Sequence, residues 1–199
     1  MDTSITIIGF SGKIGSGKDY VAKHIFLPIL QEKIGANPLF LSFADPLKQE
    51  CALRYGCSYE KLYKDKDVFT RTKLQEVGSK IRNKYGTSVF VRAMEMAIKL
   101  HHERSNINFF IIPDVRFPEE MNFIRENNGK VYRVIAKGRT YDKLHKECKG
   151  NEKEMKARSN HESETALDDQ SFDWHIYNDY GSNPTDTCQL LIGKIISNS

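Results

Sequence analysis

Cysteine is scarce in this sequence, and its few cysteines are scattered. Cys51, Cys57, Cys148 and Cys188 make no CxxC pair, so neither a zinc site nor a disulfide framework is indicated. Their spacing predicts buried thiols and a reducing, cytoplasmic setting. No run approaches the ~18 to 20 apolar residues of a membrane span. Met1 to Phe10 carries no basic leader and no small-residue cleavage site, which predicts no secretory signal. Internal repeats and low-complexity tracts are absent too. With 39% hydrophobic residues and 13 glycines in 199 residues, the composition is that of a folded domain rather than a disordered chain. The length suits one domain with inserted segments.

Strong charge of either sign is also missing, since the net charge is only +4. Between Lys137 and Arg158, eight basic residues face Asp142, Glu147, Glu152 and Glu154, an excess of four that accounts for the whole imbalance. A nucleic-acid binder more often spreads a basic face over the fold. No stable nucleic-acid or membrane partner is therefore expected, and homodimerisation is left open.

What is present alternates. Residues 4–10 form a nearly continuous β-branched run, as in a strand buried on both faces. Further strands are predicted at 39–43, 108–113, 130–135 and 174–178, with helical patterns between them and a C-terminal helix near 188–196. Pro28 interrupts the first helical pattern and predicts a kink or split there. Such alternation implies an α/β fold of parallel βαβ units with helices on both faces of one sheet. Two intervals read as insertions, a polar helical one at 44–105 and a basic, mobile one at 137–159. They leave a core of 1–43, 106–136 and 160–199 in one domain.

Gly12-Lys13-Ile14-Gly15-Ser16-Gly17-Lys18-Asp19 fits G-x-x-x-x-G-K, with a strand before it and a helix from Tyr20 onward. That context marks a phosphate loop. Its glycines let backbone N–H groups converge on phosphate oxygens, and the helix N-terminus adds a favourable dipole. Lys18 would bridge the terminal phosphates as a point charge. Asp19 stands where Ser or Thr is usual, and its carboxylate is a hard ligand for Mg²⁺ or a first-turn acid facing the dipole.

Other candidates lie at predicted helix starts and strand ends. Asp45 with Pro46 makes an N-cap and N1 pair, and Lys48 one turn on can reach an anion there. Arg71, Gln75, Gly78 and Arg82 fall at i, i+4, i+7 and i+11 beside an apolar stripe of Leu74, Val77 and Ile81. Two arginines flanking an amide suit a phosphate plus a flat polar group. Asp114 ends a hydrophobic strand, where a second Mg²⁺-side carboxylate belongs, or it tethers a loop. Arg116 projects from the same edge, where open α/β sheets bind ligands. Ser159 to Glu162 reads as a capping box, and Trp174 as a core residue.

On these motifs the chain resembles the deoxynucleoside monophosphate kinases of phages and large DNA viruses. G-K-I-G-S-G-K-D, F-A-D-P-L-K, R-T-K-L-Q-E-V-G-S-K-I-R, D-V-R-F-P-E-E, H-E-S-E and I-Y-N-D-Y-G occur in family order over residues 5–182. The resemblance implies phosphoryl transfer from ATP to a deoxynucleoside monophosphate with Mg²⁺, in the cytoplasm of a host cell. It also implies a five-stranded parallel sheet, an acceptor-binding insertion and a lid. By position, Gly12 to Tyr20, with Asn178 and Gly181 on the adenine side, would hold ATP, and Asp19 and Asp114 the metal. Ile14, Asp45, Lys48, Arg71, Gln75, Arg82 and Arg116 would face the acceptor. Lys18, Asp114, Arg116 and a lid arginine, Arg139 or Arg158, would serve the transfer. Ile14 departs from a basic residue of the family, and Val89-Phe90 from a tryptophan. Kinases of another phosphorylated metabolite, such as phosphomevalonate, and a nucleotide-switched binding module are the competing readings.

Overall fold

The computed structural model describes residues 5–64 and 67–197. Ser4, where the first predicted strand begins, lies outside the described residues. Strand β1 (Thr6–Ser11) leads into the glycine-rich loop and a helical rod. That rod runs through α1 (Lys18–Tyr20), a π-helical stretch (Val21–Phe26) and α2 (Leu27–Ile34). Pro28 sits in the first turn of α2, so the predicted break is a change of helical pitch and the rod continues. Next come β2 (Leu39–Phe40), α3 (Asp45–Tyr55), α4 (Val68–Tyr85) and α5 (Val89–Ser105). They are followed by β3 (Phe109–Val115), α6 (Pro118–Glu126), β4 (Lys130–Ile135), α7 (Lys137–Glu147), α8 (Glu152–Ser159) and α9 (Glu162–Thr165). The described chain ends with β5 (Trp174–Tyr177) and α10 (Pro184–Ser197).

The sheet has five strands in the order β2-β3-β1-β4-β5, and every pairing is parallel. Side chains of a strand alternate between faces, so β1, β3 and β4 each feed two cores. Ile7, Phe110, Ile112 and Val131 join one core with Leu47, Val77, Phe90, Met94 and Ile98 of the 44–105 insertion. Ile8, Phe10, Ile111, Tyr132 and Val134 join the other with Val21, Phe26, Leu30, Leu191 and Ile192. Burial on both faces is why these strands are nearly continuous apolar runs. The insertion is thus part of the domain's own packing. All four cysteines are buried and free.

Four local expectations are corrected. Strand β2 stops at Phe40, because Asp114 of β3 draws residues 42–44 out of the sheet. Its carboxylate accepts from Ser42 Oγ (2.5 Å), Phe43 N (3.0 Å) and Ala44 N (3.1 Å). Asp45 is the first helical residue of α3 and not its cap; it accepts instead from Ser42 N and Lys48 Nζ. Ser159 forms no capping box, since its hydroxyl donates to Lys156 O, and His161 Nδ1 caps α9 by accepting from Ser163 N. Trp174 lies partly exposed on the edge strand β5 with Lys194 Nζ 4.0 Å above its ring. The basic 137–159 interval is also ordered more than expected, as helices α7 and α8. No helix among the described residues is long and apolar enough to cross a membrane.

Candidate active site

Chain connections leave β1 toward one edge of the sheet and β3 toward the other, so the carboxyl ends of β1 and β3 border a crevice, the usual ligand position in open α/β sheets. The loop after β1 fills that position. Gly15 and Gly17 have φ of 78° and 77°, a left-handed backbone that side chains other than glycine rarely adopt. Both also have no room for a Cβ. At Gly17 it would meet Asn178 Nδ2, and at Gly15 the Cβ of Lys143 at 2.8 Å and Arg139 O at 3.0 Å. Asn178 Nδ2 donates to Ser16 O at 2.9 Å, which ties the loop to the end of β5. Helix α7 therefore lies directly on the loop.

Lys18 is buried at the crevice floor, its Nζ 3.5 Å from the exposed carboxylate of Asp19. Burial, with Arg116 close by, holds the Lys18 pKa below its ordinary value; an arriving polyphosphate would favour its charged form. Ser16 Oγ is buried without a hydrogen-bond partner among the described residues. An orphaned polar atom inside a glycine loop fits a phosphate ligand, because leaving it unpaired is costly. Lys13 points away and pairs with Asp168 at 2.7 Å. Tyr20 is exposed against His24, and Gly181 forms an open left-handed turn.

A cavity of about 340 Å³ opens beside Lys18. Arg71, Gln75, Gly78 and Arg82 of α4 all line it, as do Ile14, Asp45, Lys48, Asp114, Arg116 and Arg158. Arg82 Nη2 donates to Glu120 Oε1 at 3.1 Å, with its guanidinium 3.6 Å from the Phe117 ring centre and 4.7 Å from that of Phe90. Arg71 Nη2 reaches Glu147 Oε1 at 3.3 Å. The Nε atoms of Arg71 and Arg82 are buried and have no hydrogen-bond partner among the described residues. Lys48 is engaged by Ser42 (3.0 Å), Asp45 (2.9 Å) and the face of Tyr63 (4.3 Å).

Arg116 donates to Ser163 O at 3.0 Å and to Glu164 Oε1. Glu164 Oε2 accepts from Ile14 N at 2.7 Å. Burial works to raise the Glu164 pKa, but the Arg116 guanidinium and the Ile14 N–H override it and hold the carboxyl below its usual range. Arg139 does not reach the cavity. Its guanidinium lies 5.0 Å from the Tyr180 ring centre, whereas Arg158 of α8 is on the cavity wall. Asp114 behaves as the loop tether, the second of its two expected roles.

Sequence reasoning missed Tyr63, Phe90 and Phe117 as cavity walls, and Glu120, Glu147 and Glu164 as partners of the arginines. Glu120 had a signal, a second acid in a helix's first turn, where one suffices for the dipole. Glu147 gave none, since its partners Arg71 and Arg158 come from other elements.

The residues present fit a nucleoside triphosphate with Mg²⁺. Among the described residues no group of three or more His, Cys, Asp or Glu could hold a metal alone, so Asp19 would share the ion with phosphate oxygens and water.

A deoxynucleotide monophosphate kinase of Acanthamoeba polyphaga mimivirus, a designation that is itself provisional, is 27% identical over 161 residues, 71% of this chain and 79% of the relative. Shikimate kinases from Acinetobacter baumannii and Aquifex aeolicus superpose with TM-scores of 0.45 and 0.47 at 14% and 16% identity. Those superpositions cover 98% and 96% of this chain and 95% and 97% of the two structures. The family model described as phosphomevalonate kinase matches residues 10–130, from the phosphate loop through α6. With well over half of its length in that match, this P-loop kinase belongs to the phosphomevalonate kinase family.

Proposed function

We propose that this kinase transfers the γ-phosphoryl group of ATP to the phosphate of a deoxynucleoside monophosphate. The observation that carries the reading is the cavity beside Lys18, lined by Arg71 and Arg82 together with Gln75 and the aromatic walls Tyr63, Phe90 and Phe117. Arginine forks suit a phosphate dianion, and an amide between aromatic faces suits a flat, hydrogen-bonding base. Aliphatic acceptors would leave the amide and rings without work. The mimivirus relative's designation points the same way.

The acceptor's attacking oxygen is already anionic, so no general base is needed. The protein supplies position and charge. Lys18 neutralises the terminal phosphates of the donor, while Arg71 and Arg82 fix the acceptor in line. Arg116, held by Glu164, and Arg158 from the lid counter the charge spread over the transferring group. Asp19 would hold Mg²⁺ together with phosphate oxygens and water, and the ion would supply charge neutralisation. Helix α7 over Gly15 excludes water from the donor end.

A second reading, transfer to phosphomevalonate, is favoured by the family match over residues 10–130. ADP release and product analysis with dGMP, dTMP, dCMP, dAMP and phosphomevalonate in competition separate the two. Formation of a deoxynucleoside diphosphate is expected. Product from phosphomevalonate alone would establish the second reading, and ADP release indifferent to every acceptor would leave a nucleotide-driven switch.

A further inference from the structure

Glu120 is enclosed, with 2% of its surface exposed, yet it borders the cavity. Its Oε2 accepts from Arg116 N (2.8 Å) and Phe117 N (3.2 Å), where β3 ends and α6 begins. Its Oε1 accepts from Arg82 Nη2 at 3.1 Å. One carboxyl group thus joins the backbone that carries Arg116 to the side chain of Arg82 on α4. Capping a helix would need only the first pair of bonds. Burying an acid costs free energy unless it is well partnered; burial and the Asp114 charge push its pKa up, and the Arg116 and Phe117 N–H groups and the Arg82 guanidinium work against that rise.

We infer that Glu120 is a positioning residue for the acceptor phosphate, holding Arg82 against Phe117 so that its guanidinium stays at the cavity wall. Without Glu120, the Arg82 guanidinium would keep only ring contacts and Glu119, whose Oε1 is 3.9 Å away. It would then sample several rotamers, each costing order when the acceptor binds. The inference rests on the proposed transfer for its catalytic consequence, though the placement of Arg82 can be read without substrate.

Glu120→Gln is the informative change. Its amide oxygen can still accept from Arg116 N and Phe117 N, which leaves its NH₂ facing the NH₂ of Arg82, donor against donor. The expected result is a rise of about tenfold or more in acceptor KM, as for loss of a hydrogen bond to a charged group. The KM for ATP should stay near wild type, and a thermal melt should show a cooperative transition of a folded, somewhat less stable protein. Arg82→Met should raise the acceptor KM similarly, and the double variant should be no worse than either single one. An unchanged acceptor KM in folded Glu120→Gln, or additive effects in the double variant, would overturn the inference. If the wild type phosphorylates no deoxynucleoside monophosphate, the functional reading fails, and the placement is judged by nuclear magnetic resonance. The Arg82 Nε–H signal, assigned by its loss in Arg82→Met, should be distinct in the wild type and averaged in Glu120→Gln. The same signal in both proteins would refute the positioning role.

Discussion

Lys18 combines three properties that rarely coincide: it is buried, it follows a left-handed glycine, and it is the cation closing the phosphate loop. A lysine is normally kept at the surface by the cost of desolvating its charge. Here burial lowers its pKa, so a phosphate that pairs with it recovers part of that cost. Lys18→Ala is therefore expected to lower kcat/KM for ATP by at least ~10²-fold, about 2.7 kcal/mol of transition-state stabilisation. Steady-state kinetics alongside a thermal melt check this, and near-wild-type turnover would exclude the role. At this scale the candidates read best from the sequence were those whose function follows from local spacing. Gly15, Gly17, Lys18 and the line Arg71, Gln75, Arg82 all border the crevice or cavity because motif and helical periodicity fix their direction. Of the two arginines expected from the 137–159 interval, Arg139 lies off the cavity. Its side chain is set by Tyr180, which lies beyond β5, and no spacing within the lid encodes that contact.

Helix α7 starts without a capping side chain of its own, since Ala136 precedes it. The cap comes from elsewhere: Asp179, after β5, accepts from Gly138 N at 2.8 Å and Arg139 N at 3.3 Å. Those N–H groups, the first of them foremost, hold the Asp179 carboxyl below the ordinary carboxylate range. An element capped from a distance is invisible to a local reading, which is why residues 137–159 looked like a mobile basic loop. The strands were legible because both faces are buried and their apolar runs are continuous. The end of β2 was not, because Asp114, some 70 residues later in the chain, captures residues 42–44. Asp179→Ala should leave the Gly138 and Arg139 N–H groups of α7 to water. Hydrogen exchange is then expected to quicken at residues 138–141 while β1 and β3 stay protected. Unchanged exchange in that first turn would show that packing on Gly15 alone sets the helix start.

Across the whole molecule, the 137–159 helices and the 44–105 insertion meet at one carboxylate. Glu147, at the end of α7, lies 3.3 Å from Arg71 of α4, 3.0 Å from Arg158 of α8 and 3.0 Å from Lys143. Its side chain is only 14% exposed, so these pairs are screened less than surface ones. Two of the three cations line the cavity, and Lys143 packs where α7 covers Gly15. Under the proposed transfer, closure of the 137–159 helices over the donor and placement of Arg71 at the acceptor would be linked through this one group. Breaking that link should loosen both. Glu147→Gln removes the charge but keeps the shape, and the freed Arg71 and Arg158 would repel each other. The lid should then open more often and admit water to the donor phosphates. ATP hydrolysis without acceptor is expected to rise several-fold, with faster proteolytic cleavage within residues 137–159 and a raised acceptor KM. Should hydrolysis and cleavage both stay at wild-type rates, the two regions close independently, and Glu147 serves only to offset the repulsion among three cations.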